Sequence, residues 1–159
     1  MTQEILEDAL VEDLRELFRG YRLKNSLGVE REINVFPFDT PIREGDDEAE
    51  DREAPPEPYI VVRVPNGNIQ DETSPHVVEA ILIACVYDKD PNRQGYRDAM
   101  HIINEAIHHY ITHRRVGKKY MAQYPFKWTV PDDDTHPYYF AAMSINFEAT
   151  AVVMEEPET

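Results

Sequence analysis

His101, Glu105, His109 and His113 are the residues whose types and spacing come closest to chemistry. Each follows the last by four positions, so on a helix they line one side. Histidines at i and i+4 can hold zinc when a third ligand arrives. The same row can also be the polar outer face of a helix, or a helix face against a neighbouring subunit. The apolar residues around it bear on the choice. Tyr96, Ala99, Met100, Ile103, Ala106, Ile107, Tyr110 and Ile111 form one stripe at helical spacing. The row is expected opposite that stripe, on the solvent side, where a polar face or a subunit contact outranks a native metal site.

Other constellations carry less. Ser26, Ser74 and Ser144 lack the glycines of a nucleophile elbow. Gly67 lacks the glycine spacing of a phosphate loop. Asp132, Asp133 and Asp134 read as an exposed acidic turn, because no further ligands stand at calcium-loop spacing. Carboxylate pairs abound, which makes any single acid/base assignment uninformative. The expectation is no catalytic residue, no metal and no cofactor. The aromatics Tyr120, Tyr124, Phe126, Trp128, Tyr138, Tyr139 and Phe140 are expected mostly in the core. Any on a wetter face would suit a protein interface, where tyrosine and tryptophan are favoured.

The elements that would position these residues follow from hydrophobic period. Residues 3–21 read as an amphipathic helix through Ile5, Leu6, Ala9, Leu10, Leu14, Leu17, Phe18 and Tyr21. Residues 31–38 read as a short strand ending at Pro37 and Pro41. Residues 59–64 (YIVVRV) form a strand closed by turn residues 65–68. Residues 77–87 form the most hydrophobic strand, apolar on both faces from Ala80 to Val86, so a central place covered on both sides is expected. A helix over 95–113 follows. Residues 120–130 alternate aromatic and polar, with Pro125 marking a bulge or an edge. Residues 138–154 make a long last strand with apolar odd positions.

The fold class expected is therefore α+β. A mostly antiparallel sheet of four to five strands packs with an N-terminal helix and one long helix between the strand pairs. One domain over residues 1–159 is expected, with an exposed acidic loop at 39–58 and a frayed tail at 155–159. Asp46, Asp47 and Glu48 in that loop join the histidine row as candidate contact residues.

Charge narrows the partners. Among 159 residues, 31 acids outnumber 16 lysines and arginines, a net charge of −15. Binding phosphates needs a cationic face, so neither nucleic acid nor an anionic membrane is expected as a direct ligand. No apolar run approaches the ~20 residues that span a bilayer. The acidic, amphipathic start is unlike a secretory signal. Cys85 is the only cysteine and sits in an apolar run, so an inert buried thiol is expected.

Several segments together resemble a known family. They are YIVVRVPNG at 59–67, VYDKDPNRQGY at 86–96, RDAMHIINEAI at 97–107, and YPFKWTVPDDDTHPYYFAAMSINFEATAV at 124–152. This pattern is similar to small tail-terminator proteins of tailed bacteriophages and prophages of Gram-positive hosts. The resemblance covers about 60% of the chain and rests on structural residues, with no catalytic signature. It implies an α+β fold and a ring, usually hexameric, that caps the tail tube, ends its polymerisation and presents a surface to the head. The partners implied are further copies of the chain, the tail tube protein and the head–tail connector. The location implied is the host cytoplasm during assembly and then the virion. A neighbouring neck adaptor is the alternative in the same class, and a small metal-dependent enzyme or a host-derived binding module stands outside it. So acidic a subunit would repel its own copies, so assembly is expected to need a template or screening salt.

Overall fold

The computed structural model describes residues 3–41 and 55–149. Most of the acidic loop, including Asp46, Asp47 and Glu48, lies outside the described residues, as does the tail at 155–159. The order is α1 (Gln3–Leu17), β1 (Arg22–Lys24), β2 (Glu30–Glu32), β3 (Asn34–Pro37), β4 (Tyr59–Ile69), β5 (His76–Tyr87), α2 (Gln94–Thr112), β6 (Arg115–Val116), β7 (Tyr120–Thr129) and β8 (Tyr138–Ala149). The architecture is α+β. A six-stranded sheet runs β3-β4-β5-β8-β7-β6, and β1 and β2 form a separate hairpin.

The sheet is mostly antiparallel, as expected, but it has six strands instead of four to five, because β3 and the short β6 add to its edges, and one pair makes it mixed. β3 and β4 run parallel, with Asn34 beside Tyr59 and Pro37 beside Val62. The long connection through residues 38–58 permits this, because a parallel return needs a dozen or more residues. The other pairs are antiparallel.

β4 runs on to Ile69, past the turn expected at 65–68. One extra residue between Arg63 and Asn66 bulges the strand at Pro65 and lets pairing with β5 resume. The β1–β2 hairpin was not foreseen. All three residues of β2 and two of β1 are exposed, so no apolar alternation marks them. Its turn is legible afterwards: Asn25 Oδ1 accepts the Leu27 and Val29 amides, and Gly28 takes φ +77°.

Both helices pack on one face of the sheet. Leu6, Leu10 and Leu14 of α1 and Ile102, Ile103 and Ala106 of α2 share one core with Ile60 and Val62 of β4, Leu82 and Ala84 of β5, and Met143, Ile145 and Phe147 of β8. The even positions of β5 from Val78 to Val86 are fully buried, whereas Ile81 and Ile83 are only half-buried. β5 is central, as its apolar run predicts, but its second face is not fully covered.

Candidate functional site

The histidine row does not lie wholly on the solvent side. Four residues carry an α-helix 400° round, so each step of the row drifts about 40° toward one flank. The face of α2 that is buried centres on Ala99, Ile102, Ile103, Ala106 and Tyr110, while Tyr96 and Ile111 of the expected stripe are exposed. The row starts outward at His101 and Glu105, meets α1 at His109, and ends exposed at His113, just past the helix.

The contacts follow that drift. The His101 ring stacks on Tyr21 (5.7 Å, 20°) and its Nε2 lies 3.9 Å from Glu105. His109 Nε2 is 2.9 Å from Asp13 Oδ2 of α1, which links the two helices, and its side chain is only 18% exposed. His113 stacks on His109 (4.9 Å, 21°) and meets the Thr112 hydroxyl through Nδ1. No group of three or more His, Cys, Asp or Glu could hold a metal among the described residues.

Asp13 is set by opposing influences. Burial raises its pKa, but hydrogen bonding to His109, the pull of the Tyr110 hydroxyl and the charges of His109 and His113 outweigh that, so the pKa falls below the ordinary 3.8. The buried Tyr110 hydroxyl has no partner in hydrogen-bond geometry, and burial beside Asp13 pushes its pKa well up. A carboxylate with a depressed folded pKa stabilises the fold above its unfolded pKa, and that stability is lost as pH falls through the folded value. Asp13→Asn should therefore cost stability at about pH 5 and progressively less toward about pH 2. Urea midpoints of the two proteins across that range test it. A gap that does not change with pH sinks the assignment.

Cys85 is buried, as expected, and its surroundings make it unreactive. Burial lifts the thiol to about 12, against the opposing pull of a hydrogen bond with Tyr59 and with a further push from Glu57. Glu57 is itself 3% exposed, its Oε1 accepting the Ser26 amide at 3.0 Å. The carboxylate thus ties the β1–β2 hairpin to the start of β4. Nothing in a Glu flanked by prolines signals this burial.

The acidic turn is exposed and tied down. Arg93 donates two hydrogen bonds to Asp134, at 2.9 and 3.0 Å, and the Asp134 carboxyl drops to about 2 through that pair and the His136 amide. This fixes the β7–β8 connection to the start of α2. An open groove of about 540 Å³ runs between them, lined by Arg93, Tyr96, Arg97, Asp132, Asp133 and Tyr139 among others.

The largest departure concerns the aromatics of β7. Tyr120 and Ala122 are buried, as is Tyr139. Tyr124 and Trp128 are 60% and 59% exposed. Pairing with β8 breaks between Gln123 and Lys127, where the strand carries two extra residues around Pro125. β6 pairs only with Tyr120 and Met121, so nothing described covers the outer edge of β7 over residues 124–129. Pro125 had signalled a bulge or an edge, and the strand has both.

No protein-family model matches the chain, and no curated protein matches it significantly.

Proposed function

We propose that the chain is a structural assembly protein, a tail terminator that forms a ring on the end of a phage tail tube. The observation that carries this reading is the open β7 edge with Tyr124 and Trp128 exposed on it. An uncovered strand presents unpaired amides and carbonyls to another chain. Exposed tyrosine and tryptophan are the side chains that anchor protein interfaces. The likeness of residues 59–67, 86–107 and 124–152 to tail terminators supplies the kind of assembly. A ring needs head-to-tail contacts between identical subunits, which opposite surfaces of one chain can provide. The partners are then further copies of the chain, the tail tube protein and the head–tail connector, with the virion as the final location.

The test is electron microscopy of the purified protein mixed with tail tubes. Rings at tube ends, and tubes that stop lengthening, are the expected result. Protein that leaves tubes bare and binds the head connector instead would move it to the neck. Protein that binds neither overturns the proposal.

A further inference from the structure

We infer that the cationic β6–β7 edge receives the acidic tract of residues 44–53 from a second copy of this chain. The inference deepens the ring reading, on which it rests for the identity of the partner. Charge in this sequence is segregated. From Ala106 to Pro131 there is no carboxylate, and Arg114, Arg115, Lys118, Lys119 and Lys127 supply five positive charges. Residues 42–54 hold seven carboxylates against Arg43 and Arg52, a net of −5. The two segments carry equal and opposite net charge, +5 and −5.

The cations belong to the open edge. Arg114 lies over the Tyr124 ring at 5.1 Å, and its Nε donates to the Ala122 carbonyl. Arg115 donates to the Lys118 carbonyl. Arg115, Lys118, Lys119 and Lys127 are exposed. None of the five has a carboxylate within ion-pair distance among the described residues. A charge held in place without a counter-ion, beside exposed aromatics, is suited to an acidic partner.

Chain length favours a second copy over the same one. The tract leaves from Pro41 after β3 and returns at Pro55 before β4, on the far side of the sheet from β7. With β5 and β8 between, β4 and β7 stand about 14 Å apart across the sheet. Thirteen residues extend about 45 Å, so out and back they reach about 22 Å. Reaching β7 leaves too little to lie along its six open residues. The helix-covered face also presents Glu4, Asp8, Glu12 and Glu16, which repel the tract. In a neighbour placed head-to-tail, the β3–β4 side of one copy meets the β7 edge of the next.

Sedimentation velocity of three full-length chains tests this at low and high salt. The first is wild type, the second is Lys118→Glu/Lys119→Glu/Lys127→Glu, and the third adds Asp46→Lys/Asp47→Lys/Glu48→Lys to the second. Thermal melts confirm that each is folded. Wild type should associate at low salt and weaken as salt rises. The second chain should associate at least tenfold more weakly, and the third should recover. Carbodiimide coupling in a mixture of isotope-labelled and unlabelled wild type should join the tract to Lys118 or Lys119 between chains. An oligomer indifferent to the substitutions, or couplings only within one chain, overturns this inference and leaves the ring standing. Wild type that stays monomeric both alone and on tail tubes overturns both.

Discussion

Gly95→Ala should lower the stability of the fold by roughly 1–2 kcal/mol, the reverse of the change that helix propensity alone gives. Alanine is the better helix former by about 1 kcal/mol in an open helix interior. Gly95 lies in the first turn of α2 and is buried. A Cβ built there would stand 2.4 Å from Tyr139 Cδ2 and 2.8 Å from Asp88 Cβ. The ring cannot swing aside cheaply. Tyr139 is 7% exposed, its hydroxyl is 2.7 Å from His136 Nδ1, and the two rings meet edge-on. Denaturation should show a lower midpoint with an unchanged slope. Alanine as stable as glycine would mean that the α2–β8 approach is looser than described.

Phe147→Ala should cost more, about 3–5 kcal/mol, a large share of the 5–15 kcal/mol typical of a whole domain. Phe147 is fully buried on β8, opposite Val78 on one side and Ala122 on the other. Its ring also meets Tyr110 of α2 edge-on at 6.2 Å. No neighbour can collapse into the space without leaving the sheet or the helix. Trp128→Ala is the control. It removes an even larger side chain from the open edge and should change stability by under about 1 kcal/mol. Urea denaturation of the three proteins decides it. Equal losses would show that Trp128 is packed and would remove the open edge on which the proposed assembly rests.

The periodic elements were legible in the sequence, and the reason is burial on one face. Leu6, Leu10 and Leu14 mark α1, and the odd positions from Tyr139 to Ala149 mark β8. Elements with nothing to bury left no trace, as the exposed strands of the β1–β2 hairpin show. Pairings across the chain were also invisible. Asp13 and His109 are 96 positions apart, and neither residue type names the other. The histidine row was read correctly as one side of a helix. Its solvent outlook holds at His101, Glu105 and His113 and fails at His109, because the apolar stripe was centred toward Tyr96 and Ile111 instead of Ile102. The aromatic alternation of β7 was real, but alternation cannot say where the covering layer ends.

The charge expectation changes most. A net of −15 predicts repulsion between copies that salt relieves. Opposite charges gathered in separate segments predict attraction that salt weakens. The sign of the salt dependence therefore reports which scale governs, the whole molecule or the contact.

The docking of α1 has a consequence for the order in which the protein is made. Its apolar stripe is closed by strands and a helix that come much later. Arg15 reaches the Val35 carbonyl, Asp13 reaches His109, and Gly117 lies against Ala9. Roughly a hundred residues must be synthesised after α1 before the last of these partners exists. At ribosomal speeds that is on the order of 5–20 s. Until β3 and β4 emerge, Leu6, Leu10 and Leu14 have no native surface to meet, and that surface stays incomplete until the chain beyond α2 follows, which makes this segment a ready client for a chaperone on the nascent chain.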